Sequence, residues 1–187
     1  MVIRTFIAIE IPAAVQNRIA ELQDTLGEEG QRISWIKPRN IHLTLKFLGD
    51  TPEKQIEAIG SALERTLARS GQFEFAVRGL GAFPNLRRAR VLWVGVEKSG
   101  DEFARLAKNI NDELIQFGFA EENRKFTPHL TLGRVKSQLS QTFITAFKGI
   151  EFVGGKVVAQ EVTVMRSDLR PAGAVYTPLK RMALADS

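Results

Sequence analysis

The chain contains no cysteine, which removes disulfides, thiol nucleophiles and thiolate metal sites and fits a reducing compartment. It contains only two histidines, so any imidazole chemistry falls to those two. It has no long apolar run. The opening Met1–Glu10 stretch is hydrophobic but broken by Arg4 and Glu10, and it reads as a strand rather than a leader or a membrane segment. There is no Gly-x-Ser-x-Gly elbow for a serine nucleophile and no Gly-x-x-x-x-Gly-Lys loop for ATP. No Gly/Ser linker, charge block or low-complexity tract divides the chain, so residues 1–187 are expected to form one domain. The expected setting is the cytoplasm, away from membranes.

What is present is ordinary globular composition, 44% hydrophobic and 25% charged over 187 residues, enough for one or two small cores. The net charge of +5 and pI near 9.7 give a mild preference for polyanions, too small by itself to establish nucleic-acid binding. Arg87, Arg88 and Arg90 cluster after the turn signal Phe83-Pro84-Asn85, and Arg124 and Lys125 precede His129. Each cluster alone reads equally well as solvated loop charge.

Hydrophobic periodicity predicts a strand at 2–9 and a helix carrying Val15, Ile19, Leu22 and Leu26 that ends at Gly27. Residues 33–36 and 41–48 read as extended. Thr51 and Pro52 look like the N-cap and first residue of a helix striped by Ile56, Ile59, Leu63 and Leu67. Strands at 73–83 and 90–97 flank a turn, and a helix over 101–117 presents Phe103, Leu106, Ile110, Leu114 and Phe117. A strand at 129–135, a helix at 139–147 and strands near 150–153, 156–166 and 174–182 follow. The class is α+β with mainly antiparallel strands. The strand–helix–strand order occurs twice, which points to an internal duplication.

Both histidines open the same tetrapeptide, His-Leu-Thr-Leu, at His42 and at His129. A chance match of three such followers arises roughly once in a thousand trials. On a strand, His42 and Thr44 share one face while Leu43 and Leu45 share the other, and His129, Thr131, Leu130 and Leu132 repeat the arrangement. Two leucines thus anchor an imidazole beside a hydroxyl. Two such strands together suit attack on a phosphodiester: one neutral imidazole accepts a proton, one protonated imidazole donates, and the hydroxyls bind the non-bridging oxygens. A metal site is the weaker reading, because neither tetrapeptide brings a carboxylate on its own face and no cysteine can complete a zinc set.

Together with the flanking runs Arg4-Thr5-Phe6-Ile7-Ala8-Ile9, His42–Gly49, Pro128–Arg134 and Tyr176–Arg181, the pair of motifs makes the chain resemble the two-histidine (2H) phosphoesterase superfamily, in its RNA 2′,3′-cyclic phosphodiesterase (2′-5′ RNA ligase) branch. The resemblance covers nearly the whole chain. It implies a bilobal fold of two pseudo-twofold-related lobes around a central groove. It also implies opening of a terminal 2′,3′-cyclic phosphate to a 2′-phosphate without metal, ATP or other cofactor, and 2′-5′ ligation when an RNA 5′-hydroxyl replaces water. By motif position His42 protonates the 3′ oxygen, His129 activates water, and Thr44 and Thr131 bind phosphate. Arg134 becomes a phosphate or base contact, although regular alternation from His129 turns it away and requires a bulge near Gly133. Phe47 becomes a base-stacking residue, although alternation groups it with the core leucines. Tyr176 lines the groove or serves a structural role. The implied partner is RNA ending in a 2′,3′-cyclic phosphate, tRNA fragments included, and the implied state is a monomer. The alternatives are a non-catalytic RNA-end binding module, or the same chemistry on small cyclic nucleotides, ADP-ribose cyclic phosphate or 2′-5′ oligoadenylates.

Overall fold

The computed structural model describes residues 1–27, 33–98, 100–122, 125–171 and 173–186; Arg124 lies outside them. In chain order the elements are β1 (Val2–Glu10), α1 (Ala13–Leu26), β2 (Ile33–Trp35), β3 (His42–Pro52), α2 (Ile56–Leu67), β4 (Phe73–Phe83), β5 (Val91–Glu97), α3 (Glu102–Ile115), β6 (His129–Val135), α4 (Gln141–Gly149), β7 (Val153–Ala159), β8 (Glu161–Arg170) and β9 (Gly173–Ala183). The helices form where apolar residues recur at helical spacing. Val15, Ile19, Leu22 and Leu26 of α1 are buried, as are Phe103, Leu106, Ile110 and Leu114 of α3. Gly118, at φ 84°, lies in the turn that follows α3.

The strands make one curled antiparallel sheet in the order β7-β4-β5-β6-β3-β1-β8-β9, with β2 added to the free side of β6. The fold is α+β with two repeated lobes, β6-β5-β4-β7 and β3-β1-β8-β9, joined between β6 and β3. That joint is narrow. Leu43 pairs with Leu130, and β2 then takes over the edge of β6 from Ile33 to Trp35. The leucine face of the joint enters the main core, where Leu43, Leu130 and Leu132 are 0% exposed. The helices cover that face crosswise: α1 packs on β7 and α4, whereas α2 packs on β9 and α3.

Two expectations from the sequence change. Thr51 and Pro52 do not start a helix. β3 keeps pairing with β1 as far as Val2 opposite Pro52, and the buried Thr51 hydroxyl meets that of Thr5 at 2.7 Å. A cross-strand partner 46 residues away outweighs the local capping pattern, and α2 begins only after a 3₁₀ turn at Glu53–Gln55. The strands expected near 150–153 and 156–166 are redrawn as β7 and β8, divided at Gln160. β7 pairs with β4 and β8 with β1, so the break is where the chain changes lobes.

Candidate active site

The leucine anchors decide where the imidazoles go. Continuing the antiparallel register one residue either side of Leu43 and Leu130 sets His42 across from Thr131 and Thr44 across from His129. Each imidazole therefore faces the other motif's hydroxyl. Each ring is also held the same way: His42 Nδ1 donates to the Asn40 carbonyl at 2.7 Å, and His129 Nδ1 donates to the Thr127 carbonyl at 2.8 Å. A carbonyl only accepts, so Nδ1 carries the proton and Nε2 is the nitrogen left for chemistry. Neither the Thr44 nor the Thr131 hydroxyl bonds to another described residue, so both can turn to an incoming oxygen.

Around His42 the site is aromatic. Phe6 stacks on the ring at 4.6 Å and 28°, and Tyr176 meets it edge-on at 5.2 Å and 84°. Burial pushes the His42 pKa down, opposed by the Asn40 carbonyl and the negative charge of Glu10. Burial likewise raises Tyr176, against the pull of Arg134 and Arg4, so its phenol stays protonated and able to donate. His129 is bounded differently, with Phe83 edge-on at 4.9 Å and 85°.

A cleft of about 570 Å³ opens on this face, large enough for a nucleotide-sized ligand. His42, Thr44, Phe47, Thr131, Arg134 and Tyr176 all line it. His129 sits next to this lining, across from Thr44 and against Phe83. Three register shifts, two on β3 and one on β6, re-aim side chains that plain alternation sends elsewhere. On β3, Leu45 and Leu48 fall out of register with β1, so both stay buried while Phe47 swings out to 69% exposure. On β6, Leu132 falls out of register with β5, so Leu132 and Gly133 both face inward and Arg134 lands on the side of Thr131. The expectation that Phe47 belongs with the core leucines is therefore corrected, and the bulge that Arg134 required is present. Gly133 is needed there: a Cβ would lie 2.7 Å from Ile33 Cγ2 and 3.2 Å from the Ser34 carbonyl.

Several cleft residues escaped the sequence reading. Arg4 and Phe6 come from β1, Trp35 and Lys37 from β2 and the turn after it, and Leu169 and Ala174 from the β8–β9 hairpin. Asn40 does two things at once. Its carbonyl accepts from His42, and its side chain donates to the Ala174 carbonyl at 2.7 Å, tying the hairpin wall to the imidazole. Its place two residues before His42 was the one local signal available. The others depend on register and bulges. Among the described residues, no group of three or more His, Cys, Asp or Glu comes together to hold a metal ion. No helix among the described residues is long and apolar enough to cross a membrane.

Two lobes facing across a groove, each presenting a His-x-Thr strand, define the class of two-histidine phosphoesterases. The model of the LigT-like phosphoesterases matches twice, over residues 9–93 and 94–176, and the chain belongs to that family. The repeated match also accounts for the duplicated strand–helix order. An RNA 2′,3′-cyclic phosphodiesterase of Methanothermobacter thermautotrophicus is 35% identical over 96% of this chain and 98% of its own. One from Thermotoga maritima is 35% identical over 94% of this chain and 92% of its own. The crystal structure of Escherichia coli LigT complexed with 3′-AMP shares 26% identity and a TM-score of 0.81, over 98% of this chain and 99% of that one.

Proposed function

We propose that this chain is an RNA 2′,3′-cyclic phosphodiesterase that opens a terminal 2′,3′-cyclic phosphate to a 2′-phosphate. The observation that carries the reading is the pair of imidazoles on facing strands, each held at Nδ1 by a carbonyl, beside two unpartnered threonine hydroxyls. The names of the relatives support the same substrate. His129 Nε2 takes a proton from water as the oxygen attacks phosphorus. The bond from phosphorus to O3′ breaks, and protonated His42 Nε2 gives its proton to that oxygen. Thr44 and Thr131 donate to the non-bridging oxygens, Arg134 balances their charge, and Phe47 offers its face to the terminal base. Tyr176 holds the His42 ring edge-on and lines the wall of the cleft. With an RNA 5′-hydroxyl in place of water, the same leaving group departs and a 2′-5′ linkage forms.

The substrate class supports action in the cytoplasm on RNA fragments, those of tRNA among them. The test uses an oligonucleotide ending in 2′,3′-cyclic phosphate. His42→Ala and His129→Ala should each cut kcat by about 10²–10⁴-fold with the circular dichroism spectrum unchanged, and EDTA should leave the wild-type rate as it is. Turnover near wild type in either variant would refute the assignment.

A further inference from the structure

The cleft carries more positive charge than one terminal phosphate requires. Arg4, Lys37 and Arg134 line it, no carboxylate does, and none of the three makes an ion pair with a described residue. A 2′,3′-cyclic phosphate bears one negative charge, which Arg134 and the two threonine hydroxyls already answer. Several other cations of the sheet are paired, Arg78 with Glu97, Lys156 with Glu74 and Arg181 with Glu10. Asp50 sits opposite Arg4 in the ladder yet makes no ion pair with it and does not line the cleft.

The register places this spare charge. β1 runs against β3 with Ala8 opposite Thr44, Phe6 opposite Phe47 and Arg4 opposite Asp50. Moving along β1 away from the threonine, the cleft presents Phe6 and then Arg4, with about 13 Å of strand between Ala8 and Arg4. The Phe6 and Phe47 rings lie 6.2 Å apart on the way. Arg4, His42 and Tyr176 line the same cleft, so the cation shares a cavity with the His42 ring. A catalytic end, an aromatic platform and a further cation in sequence is how a groove follows a single nucleic-acid strand.

We propose that Arg4 binds the phosphodiester on the 5′ side of the terminal nucleotide, so that the cleft is built for an oligonucleotide end rather than a mononucleoside cyclic phosphate. This rests on the phosphodiesterase reading and extends it to a second phosphate. The test compares kcat/KM for three substrates: a mononucleoside 2′,3′-cyclic phosphate, a dinucleotide with the same end, and that dinucleotide with an uncharged methylphosphonate linkage. The wild-type protein should prefer the charged dinucleotide over the methylphosphonate by about tenfold. Arg4→Ala should lose most of that ratio and Arg4→Lys should keep part of it. Because each ratio is taken within one variant, any loss of folded protein cancels. A ratio in Arg4→Ala equal to that of wild type overturns the proposal, as does loss of the ratio in Lys37→Ala but not in Arg4→Ala. Wild-type turnover of all three substrates at one rate overturns the second phosphate alone. No turnover of any of them overturns the phosphodiesterase reading and this proposal with it.

Discussion

His42 and His129 open identical tetrapeptides, but their surroundings make them unequal. His42 is enclosed by Phe6, Tyr176 and a carbonyl pinned to the β8–β9 hairpin, and burial holds its pKa below the ordinary histidine value. If His42 is the acid, activity requires its protonated form and is lost as pH rises through its pKa. In the free protein that limb lies below the ordinary histidine value. A bound cyclic phosphate favours the imidazolium by its negative charge and moves the limb upward. The alkaline limb of kcat should therefore lie at higher pH than that of kcat/KM, which two pH–rate profiles on one substrate would show. A His42-dependent limb on the acid side instead would exchange the two roles, because a base loses activity as pH falls.

At the scale of elements, irregular register on β3 and β6 does what alternation forbids. The irregularity around Leu45 and Leu48 of β3 frees Phe47, and that at Leu132 of β6 turns Arg134 onto the cleft face. The second depends on a residue without a side chain, since β2 pairs alongside Gly133 and its Ile33 side chain and Ser34 carbonyl fill the space a Cβ would need. Gly133→Ala should therefore lower stability by about 1–3 kcal/mol and raise KM by moving Arg134. Urea unfolding and steady-state kinetics would check both, and a variant with wild-type midpoint and KM would count against this account of the bulge. Alternation and helical periodicity made most of the elements legible, from α1 with its Val15–Leu26 stripe to the strand at His129. They failed at Thr51 and Pro52, where a helix start was expected, because the deciding contact is with Thr5 on another strand. The side chains of Arg4, Lys37 and Leu169 could not be placed for the same reason: each reaches the cleft through pairings or turns that carry no local signature.

On the scale of the whole molecule, the lobes are interlocked rather than adjoining. α1 leaves β1 in one lobe and packs on β7 in the other, while α2 and α3 cover the β3 and β9 side. Each lobe is thus covered in part by a helix that springs from the other, α1 following β1 and packing on β7, α3 following β5 and packing on β3. Thermal unfolding should accordingly be a single transition with calorimetric and van't Hoff enthalpies in agreement, and a fragment ending near Trp93 should not fold alone. Two resolved transitions, or a folded half, would show independent lobes. The sequence by itself determined the α+β class, the duplication and the chemistry of the site, because these depend on residue type and on periods of two and 3.6 that are local. Only the tertiary structure decided that the two tetrapeptides meet through Leu43 and Leu130, and that Phe47 and Arg134 turn into the groove. It alone enclosed His42 more tightly than His129 and brought Arg4 to the same cleft. Those outcomes depend on strand register and bulges, which come from pairings between residues far apart in the chain, and no local pattern encodes them.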